Sequence, residues 1–243
     1  MKILIIGESC KDVFSYGDCK RLCPEAPVPV FNLLKTIENG GMAMNVKNNL
    51  ETLGVDVNLH TNKNWRQITK NRFIDLKTNH MFMRLDCGDD LYGKSSVHKI
   101  NFKKYAGVVI SDYNKGFLRE EDIKHICSQN ENTFLDTKKV LGDWCLDAKF
   151  IKINSQEYEK TKPTLTQEIE SKIIVTMGPN GCLHNGIVYP VKEVEIKDVS
   201  GAGDTFIAGL SYKFLETRDV EKSISFANDC ATTVVQKRGV NTL

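Results

Sequence analysis

Short apolar runs recur along this chain, and each closes on a polar group. Lys2–Ile6 runs into Gly7-Glu8, Gly107–Ile110 into Ser111-Asp112, and Thr133–Leu135 into Asp136. Phe150–Ile153 ends at Asn154, and Lys172–Val175 at Thr176-Met-Gly178. Hydrophobicity that is continuous rather than alternating marks strands buried on both faces, the habit of parallel sheets. Between the runs lie helical patterns. Met42–Leu53 carries Ala43, Val46, Leu50 and Leu53 on one stripe and is closed by Gly54. Arg119–Gln129 carries Ile123, Ile126 and Cys127, and two helices, Gly203–Glu216 and Val220–Gln236, follow late in the chain. Leu91–Tyr105 also reads as helical. This alternation predicts an α/β fold, an open, mostly parallel sheet covered by helices on both faces. Ligands of such sheets bind beyond the C-terminal ends of the strands. Glu8, Asp12, Ser111, Asp112, Asp136, Asn154, Glu157, Thr176 and Gly178 are therefore expected along one rim. Any one of them is an ordinary loop or capping residue; their recurrence is what points to a site.

Four segments do not fit the main sheet. Val13–Tyr16 and Val28–Phe31 flank Pro24-Glu-Ala-Pro27, and prolines there exclude a helix. Asn71–Leu76 and His80–Leu85 flank Lys77-Thr-Asn79 as a hairpin. Together they predict a small lid sheet, its strands drawn from about 13–37 and 71–86, on a chain read as one domain over 1–243. Val188–Val191 is read as a late strand of a hairpin following Asn180-Gly181, and Thr161–Thr166 as a surface loop.

A net charge of +2 leaves no polyelectrolyte footprint, so no nucleic-acid partner is expected. Lys103-Lys104 and Lys138-Lys139 read as solvated surface. The eight cysteines are scattered without a zinc spacing. Lys2–Ile6 is too short for a secretory leader, and no apolar run approaches the length of a membrane span. A cytoplasmic protein with reduced thiols and no membrane partner is expected.

The chemistry concentrates in Asp198-Val-Ser-Gly-Ala-Gly-Asp-Thr-Phe206. Gly201, Ala202 and Gly203 leave backbone N–H groups open to an anion. The helix that follows brings its positive end to the same spot. Asp204, in its first turn, is placed to accept a proton beside a phosphoryl group. The helix dipole predicts a weak base, tolerable because phosphoryl transfer rests mainly on positioning and charge stabilisation. Taken alone, Gly-x-Gly-Asp is as readily a plain helix start.

Taken together, these stretches resemble the ribokinase-like (PfkB) family of carbohydrate kinases. Gly40-Gly41 with Asn45 is similar to its N-terminal sugar-binding signature, and Asp198–Thr205 to its C-terminal signature. Asn154-Ser-Gln-Glu157 is similar to its Asn-x-x-Glu motif. Within the family the chain is most similar to the kinase domain of bifunctional heptose-7-phosphate kinase/heptose-1-phosphate adenylyltransferases, through Arg21–Val30, Arg84-Leu-Asp86, Ser111–Gly116 and Phe226–Gly239. The resemblance implies ATP- and Mg²⁺-dependent phosphorylation of a sugar phosphate, D-glycero-D-manno-heptose 7-phosphate, at its anomeric hydroxyl. No adenylyltransferase domain is expected within these residues. Asp12, Gly41, Asn45 and Asp86 are implied to hold sugar hydroxyls, with Asp112 on the same side. Arg84 and Lys115 are the candidates for the substrate's own phosphate. Gly201, Ala202 and Gly203 are implied as the anion hole, with Asp204 as the base. Glu157, with Asn154, would organise Mg²⁺ through water. Thr176, Gly178, Gly181, Ser200 and Asn228 would line the nucleotide. A monovalent cation, K⁺, is implied near Asp198 and Ser200, and a homodimer through the lid. Two stretches are shorter than the family's pattern, Thr61–Gln67 and the segment between Glu157 and Ile173. They keep open a non-catalytic sugar-phosphate binder, or a family kinase for another sugar. A dinucleotide oxidoreductase is disfavoured, because Gly7-Glu-Ser-Cys-Lys lacks Gly-x-Gly-x-x-Gly after the first strand.

Overall fold

A computed structural model describes all residues, 1–243. The strands are β1 (Lys2–Gly7), β2 (Lys11–Leu22), β3 (Pro29–Asn39), β4 (Asp56–His60), β5 (Thr69–Asp75), β6 (Met81–Cys87), β7 (Gly107–Asp112), β8 (Thr133–Thr137), β9 (Phe150–Asn154), β10 (Ile173–Thr176), β11 (Cys182–His184) and β12 (Ile187–Tyr189). The helices are α1 (Gly41–Thr52), α2 (Glu120–Gln129), α3 (Ser155–Thr161), α4 (Gln167–Glu170), α5 (Ala202–Thr217) and α6 (Val220–Val235). The main sheet has the order β12-β11-β10-β9-β8-β7-β1-β4. From β4 to β10 every pairing is parallel; the β10–β11 and β11–β12 pairings are antiparallel, so that β11 alone is reversed.

Its strands are apolar throughout because both faces are covered. Leu4, Ile6, Val108, Ile110 and Ile151 pack with Ile123 and Ile126 of α2. The alternate residues Ile3, Ile5, Val109 and Ile174 pack with Val46 of α1, Phe206 and Leu210 of α5 and Ile224 of α6. Gly7 has a steric reason as well: a Cβ there would lie 2.0 Å from the Ser111 carbonyl oxygen of β7. Parallel alignment puts the carboxyl ends of β1 and β7–β10 on one rim.

The second sheet, β3-β2-β5-β6, pairs β2 with β5 in parallel and is otherwise antiparallel. One of its faces mixes charged residues with a small buried apolar cluster of Phe14, Tyr16 and Ile74. In register, Asp12 faces Lys70, Phe14 faces Arg72, and Arg72 faces Arg84, so the charges share that face. The alternate positions include Phe73, Met83 and Leu85, and Phe31, Phe73 and Phe82 cluster edge to face at 5.3 and 6.0 Å.

Two expectations are corrected. Leu91–Tyr105 is not a helix but an extended strap with single 3₁₀ turns at Val97–Lys99 and Phe102–Lys104. Its buried anchors Tyr92, Val97, Phe102 and Tyr105 are spaced five, five and three apart, which no helical stripe accommodates, and Gly93 sits at φ +67°. The late hairpin is also displaced. β11 and β12 turn at Asn185-Gly186, both at positive φ as a type I′ turn requires, while Gly178–Asn180 forms the preceding β10–β11 connection. No helix is long and apolar enough to cross a membrane, and all eight cysteines are free.

Candidate active site

The N-terminal and C-terminal signatures meet through one hydrogen bond. Asn45 Nδ2, in the second turn of α1, donates to Asp204 Oδ2 at 3.0 Å across 159 residues of chain. Tyr113 OH donates to the other oxygen at 2.9 Å. Asn45 therefore acts on the base and does not lie on the cavity wall, where the sequence placed it as a hydroxyl ligand. The Asp204 carboxyl is pushed up to about 6, chiefly by burial and against the pull of the Asn45 bond. The weak base expected from the helix dipole is thus corrected: desolvation outweighs the dipole, and the group is poised near neutrality.

Tyr113 is held by its own backbone. Glu8, fully buried at the end of β1, accepts from Tyr113 N at 2.8 Å and Lys115 N at 3.0 Å. Burial and the nearby Asp112 raise the Glu8 carboxyl, while burial and Asp204 keep the Tyr113 phenol protonated as a donor.

The turn before α5 is an anion cradle, with one change from expectation. The N–H groups of Gly201, Gly203 and Asp204 make no hydrogen bond within the chain, but that of Ala202 is taken by the Val199 carbonyl at 3.2 Å. Ala202 contributes smallness rather than a donor. Both flanking glycines have close neighbours, and at Gly201 the backbone itself favours glycine. Gly201 has φ +81° and a Cβ there would lie 2.6 Å from Asn45 Nδ2; one on Gly203 would lie 2.7 Å from Lys152 Nζ. The Lys152 ammonium is thus lodged against the cradle, paired at 2.9 Å with Asp136 Oδ2, each side chain 5% exposed. The second Asp136 oxygen is buried with no partner.

Two cavities flank the cradle. One, of about 250 Å³, is bounded by Asp12, Gly41, Arg84, Lys115, Gly201 and Asp204. Ser200 faces this cavity rather than the nucleotide side. Lys70, Arg72, Tyr113 and Cys10 also line it and were not singled out from sequence. Arg84 is gripped by Asp86 at 2.7 and 2.8 Å, Lys115 by Asp89 at 2.5 Å, Lys70 by both of those acids, and Arg72 by Asp12. Burial pushes the Asp12 carboxyl up against the pull of Arg72, and pushes the Cys10 thiol up to about 12. Asp86 and Asp112 do not reach this wall. Asp86 orients Arg84 and Lys70; Asp112 accepts from Thr137 Oγ1 at 2.5 Å and Lys139 Nζ at 3.1 Å. The other cavity, of about 440 Å³, brings together Thr176, Gly178, Gly181 and Asn228 with Ala202 and Gly203.

Asn154 and Glu157 form a capping box at the start of α3: Asn154 Oδ1 accepts from Glu157 N at 2.9 Å, and Glu157 Oε2 from Asn154 N at 2.7 Å. Lys138 pairs with the other Glu157 oxygen. Lys139 is thus packed into this rim and not the solvated surface expected of it, whereas Lys138 is exposed, as expected, yet paired across the rim. Both Asp198 oxygens accept backbone N–H groups, from Ser200 at 2.8 Å and Gly239 at 3.0 Å, which closes the loop ahead of the cradle.

Residues 144–243 match the profile described as pfkB family carbohydrate kinase. "Bifunctional protein HldE" of Helicobacter pylori is 30% identical, over 98% of this chain and 63% of its own length. That of Aliarcobacter butzleri is 29% identical, over 98% and 61%. The chain thus spans about three fifths of the curated relatives it matches. The latter alignment runs over 293 positions against 243 residues here, so that relative has at least 50 positions without a counterpart. Among solved structures, ribokinase from Thermotoga maritima superposes with a TM-score of 0.73 at 14% identity, covering 98% of this chain and 94% of its own. The nucleoside kinase of Methanocaldococcus jannaschii gives 0.72 at 18%, covering 98% and 93%. Escherichia coli phosphofructokinase-2 in complex with potassium gives 0.70 at 14%, covering 99% and 95%. The chain thus has the fold of the ribokinase-like kinases over nearly its whole length, and over residues 144–243 it matches the pfkB family of carbohydrate kinases.

Proposed function

We propose that the protein is a cytoplasmic kinase that transfers the γ-phosphoryl group of ATP to a hydroxyl of a sugar phosphate. D-glycero-D-manno-heptose 7-phosphate, taken at its anomeric hydroxyl, is the acceptor favoured by the similarity to HldE. The observation that carries this reading is the Asn45–Asp204 hydrogen bond, which sets a buried carboxylate between an acceptor-sized cavity and the cradle.

In this reading Asp204 takes the acceptor proton, held in orientation by Asn45 and Tyr113. The free N–H groups at 201, 203 and 204 and the Lys152 ammonium supply fixed positive potential where charge develops, in a site already shielded from water. Lys70, Arg72, Arg84 and Lys115 suit the substrate's own phosphate, since guanidinium and ammonium groups make charge-assisted bonds to phosphate oxygens. Their present carboxylate partners keep these cations from lying unpaired. Thr176, Gly178, Gly181 and Asn228 would face the nucleotide.

For magnesium the residues fit: the unpartnered Asp136 oxygen is a hard donor buried beside the cradle, with Glu157 across the rim. Those two, through water, would hold the ion, which would neutralise charge on the nucleotide phosphates. Asp198 suits K⁺ less well, because both its oxygens are occupied, and no step is routed through it.

Incubation with Mg-ATP and a panel of sugars and sugar phosphates, read by product mass, tests the reading. A heptose or hexose phosphate is expected to gain one phosphoryl group, and its unphosphorylated counterpart to react far more slowly. No product from any acceptor would leave the non-catalytic binder.

The lid also supports a homodimer. Leu33, Leu34, Met83 and Leu85 are each about half exposed on it, more apolar surface than a lone sheet normally shows to water. Sedimentation is expected to report a dimer that Leu85→Lys converts to monomer; a wild-type monomer would overturn this.

A further inference from the structure

Lys138 is a cation of this rim that the reaction outlined above does not use. Its backbone is fixed from both sides. Lys138 N donates to the Asp112 carbonyl at 3.0 Å, Thr137 Oγ1 to the Asp112 carboxylate at 2.5 Å, and Lys139 Nζ to Asp112 and Asn114 at 3.1 and 2.9 Å. A single acidic residue thus pins the positions before and after Lys138 and leaves its side chain free to reach across the cleft. Its ammonium lies 5.5 Å from the centre of the Tyr113 ring, whose hydroxyl is bonded to Asp204. Asp136, Glu157 and Asp204 all act on it and raise its proton affinity against the cost of burial. Its one bonded partner is Glu157 Oε1, and that oxygen has no other partner, Oε2 being occupied by Asn154 N. The carboxylate lobe open to a metal ion is therefore the lobe Lys138 covers. A third of the Lys138 side chain remains exposed, enough for its flexible stem to swing.

We propose that Lys138 is a phosphate-binding cation of the cleft, parked on Glu157 until a metal–nucleotide complex releases it onto the polyphosphate. The proposal rests on the kinase reading and adds a residue to it. Lys138 neutralises the acidic rim while the cleft is empty. With Glu157 engaged by a metal, the ammonium would lose its one bonded partner, and a lysine beside a phosphate chain makes a point-charge contact.

Calorimetric titration of wild type, Lys138→Met and Lys138→Arg with Mg-ATP and with adenosine tests this. Lys138→Met is expected to weaken Mg-ATP about tenfold, the worth of one charge-assisted bond, and to leave adenosine within twofold. Lys138→Arg should recover most of the loss. Equal affinities of Lys138→Met and wild type for Mg-ATP would overturn the assignment and leave the kinase reading standing. An equal loss for ATP and adenosine would make Lys138 structural and overturn it too. Wild type that binds no Mg-ATP would end both.

Discussion

Asp204→Asn is expected to lower kcat about a thousandfold while Mg-ATP and the sugar phosphate still bind within a few-fold of wild type. The amide keeps the shape and can still meet Asn45 or Tyr113, but it cannot take a proton. The pH profile gives the same prediction a second readout. With the carboxyl pushed up to about 6 in the free protein, kcat/KM should fall tenfold per pH unit below about 6 and level off above it. Asp204→Asn should lose that acid limb. Stability moves the opposite way. A raised carboxyl binds its proton more tightly in the fold than in the unfolded chain. Ionised Asp204 therefore costs stability, progressively as pH rises from about 4 to about 6 and constantly above. At about two pK units, the cost is on the order of 3 kcal/mol. Asp204→Asn should thus melt no lower than wild type at pH 8, and higher if the amide settles its bonds. A variant that melts normally and turns over at the wild-type rate would remove Asp204 as the base.

The layout of this site could be read from sequence where a local rule dictates it. Continuous apolar runs demand a two-sided sheet, so the rim of polar strand ends followed from β1, β7, β8, β9 and β10. The glycines at 201 and 203 signalled a bare backbone. Partners set by tertiary contact were not legible. Asn45 sits in an ordinary helix stripe, and nothing nearby says that its amide turns to a carboxylate 159 residues away. Asp204 was misjudged because a dipole is local and burial is not. Leu91–Tyr105 went astray because four apolar anchors fixed a strap where local propensity allowed a helix. Some signals were present and went unused. Lys70 and Arg72 alternate along one strand, which sends both to the same face. Lys152 is a charge inside Phe150-Ile-Lys-Ile153, and a strand buried on both faces keeps a lysine only with a partner.

That lysine carries the second large effect. Lys152→Met is expected to destabilise the fold by about 3–5 kcal/mol, because it strands Asp136 as a buried charge. Asp136 already has one oxygen without a partner, so no neighbour stands ready to take up the other. In a chain of this size the melting temperature should drop on the order of 10 °C. Asp136→Asn in the Lys152→Met background should recover much of the loss, since it deletes the charge left behind. Activity separates the two roles of the ammonium. If Lys152 served only to neutralise Asp136, the stabilised double variant would turn over no more slowly than Asp136→Asn alone. Since the ammonium also lies against the Gly203 backbone, the double variant should fold yet lose kcat by about a hundredfold relative to Asp136→Asn alone, as sites do on losing one preorganised positive group beside a developing charge. Recovery of stability together with the turnover of Asp136→Asn alone would confine Lys152 to the core, and the cradle would then act through its free N–H groups alone.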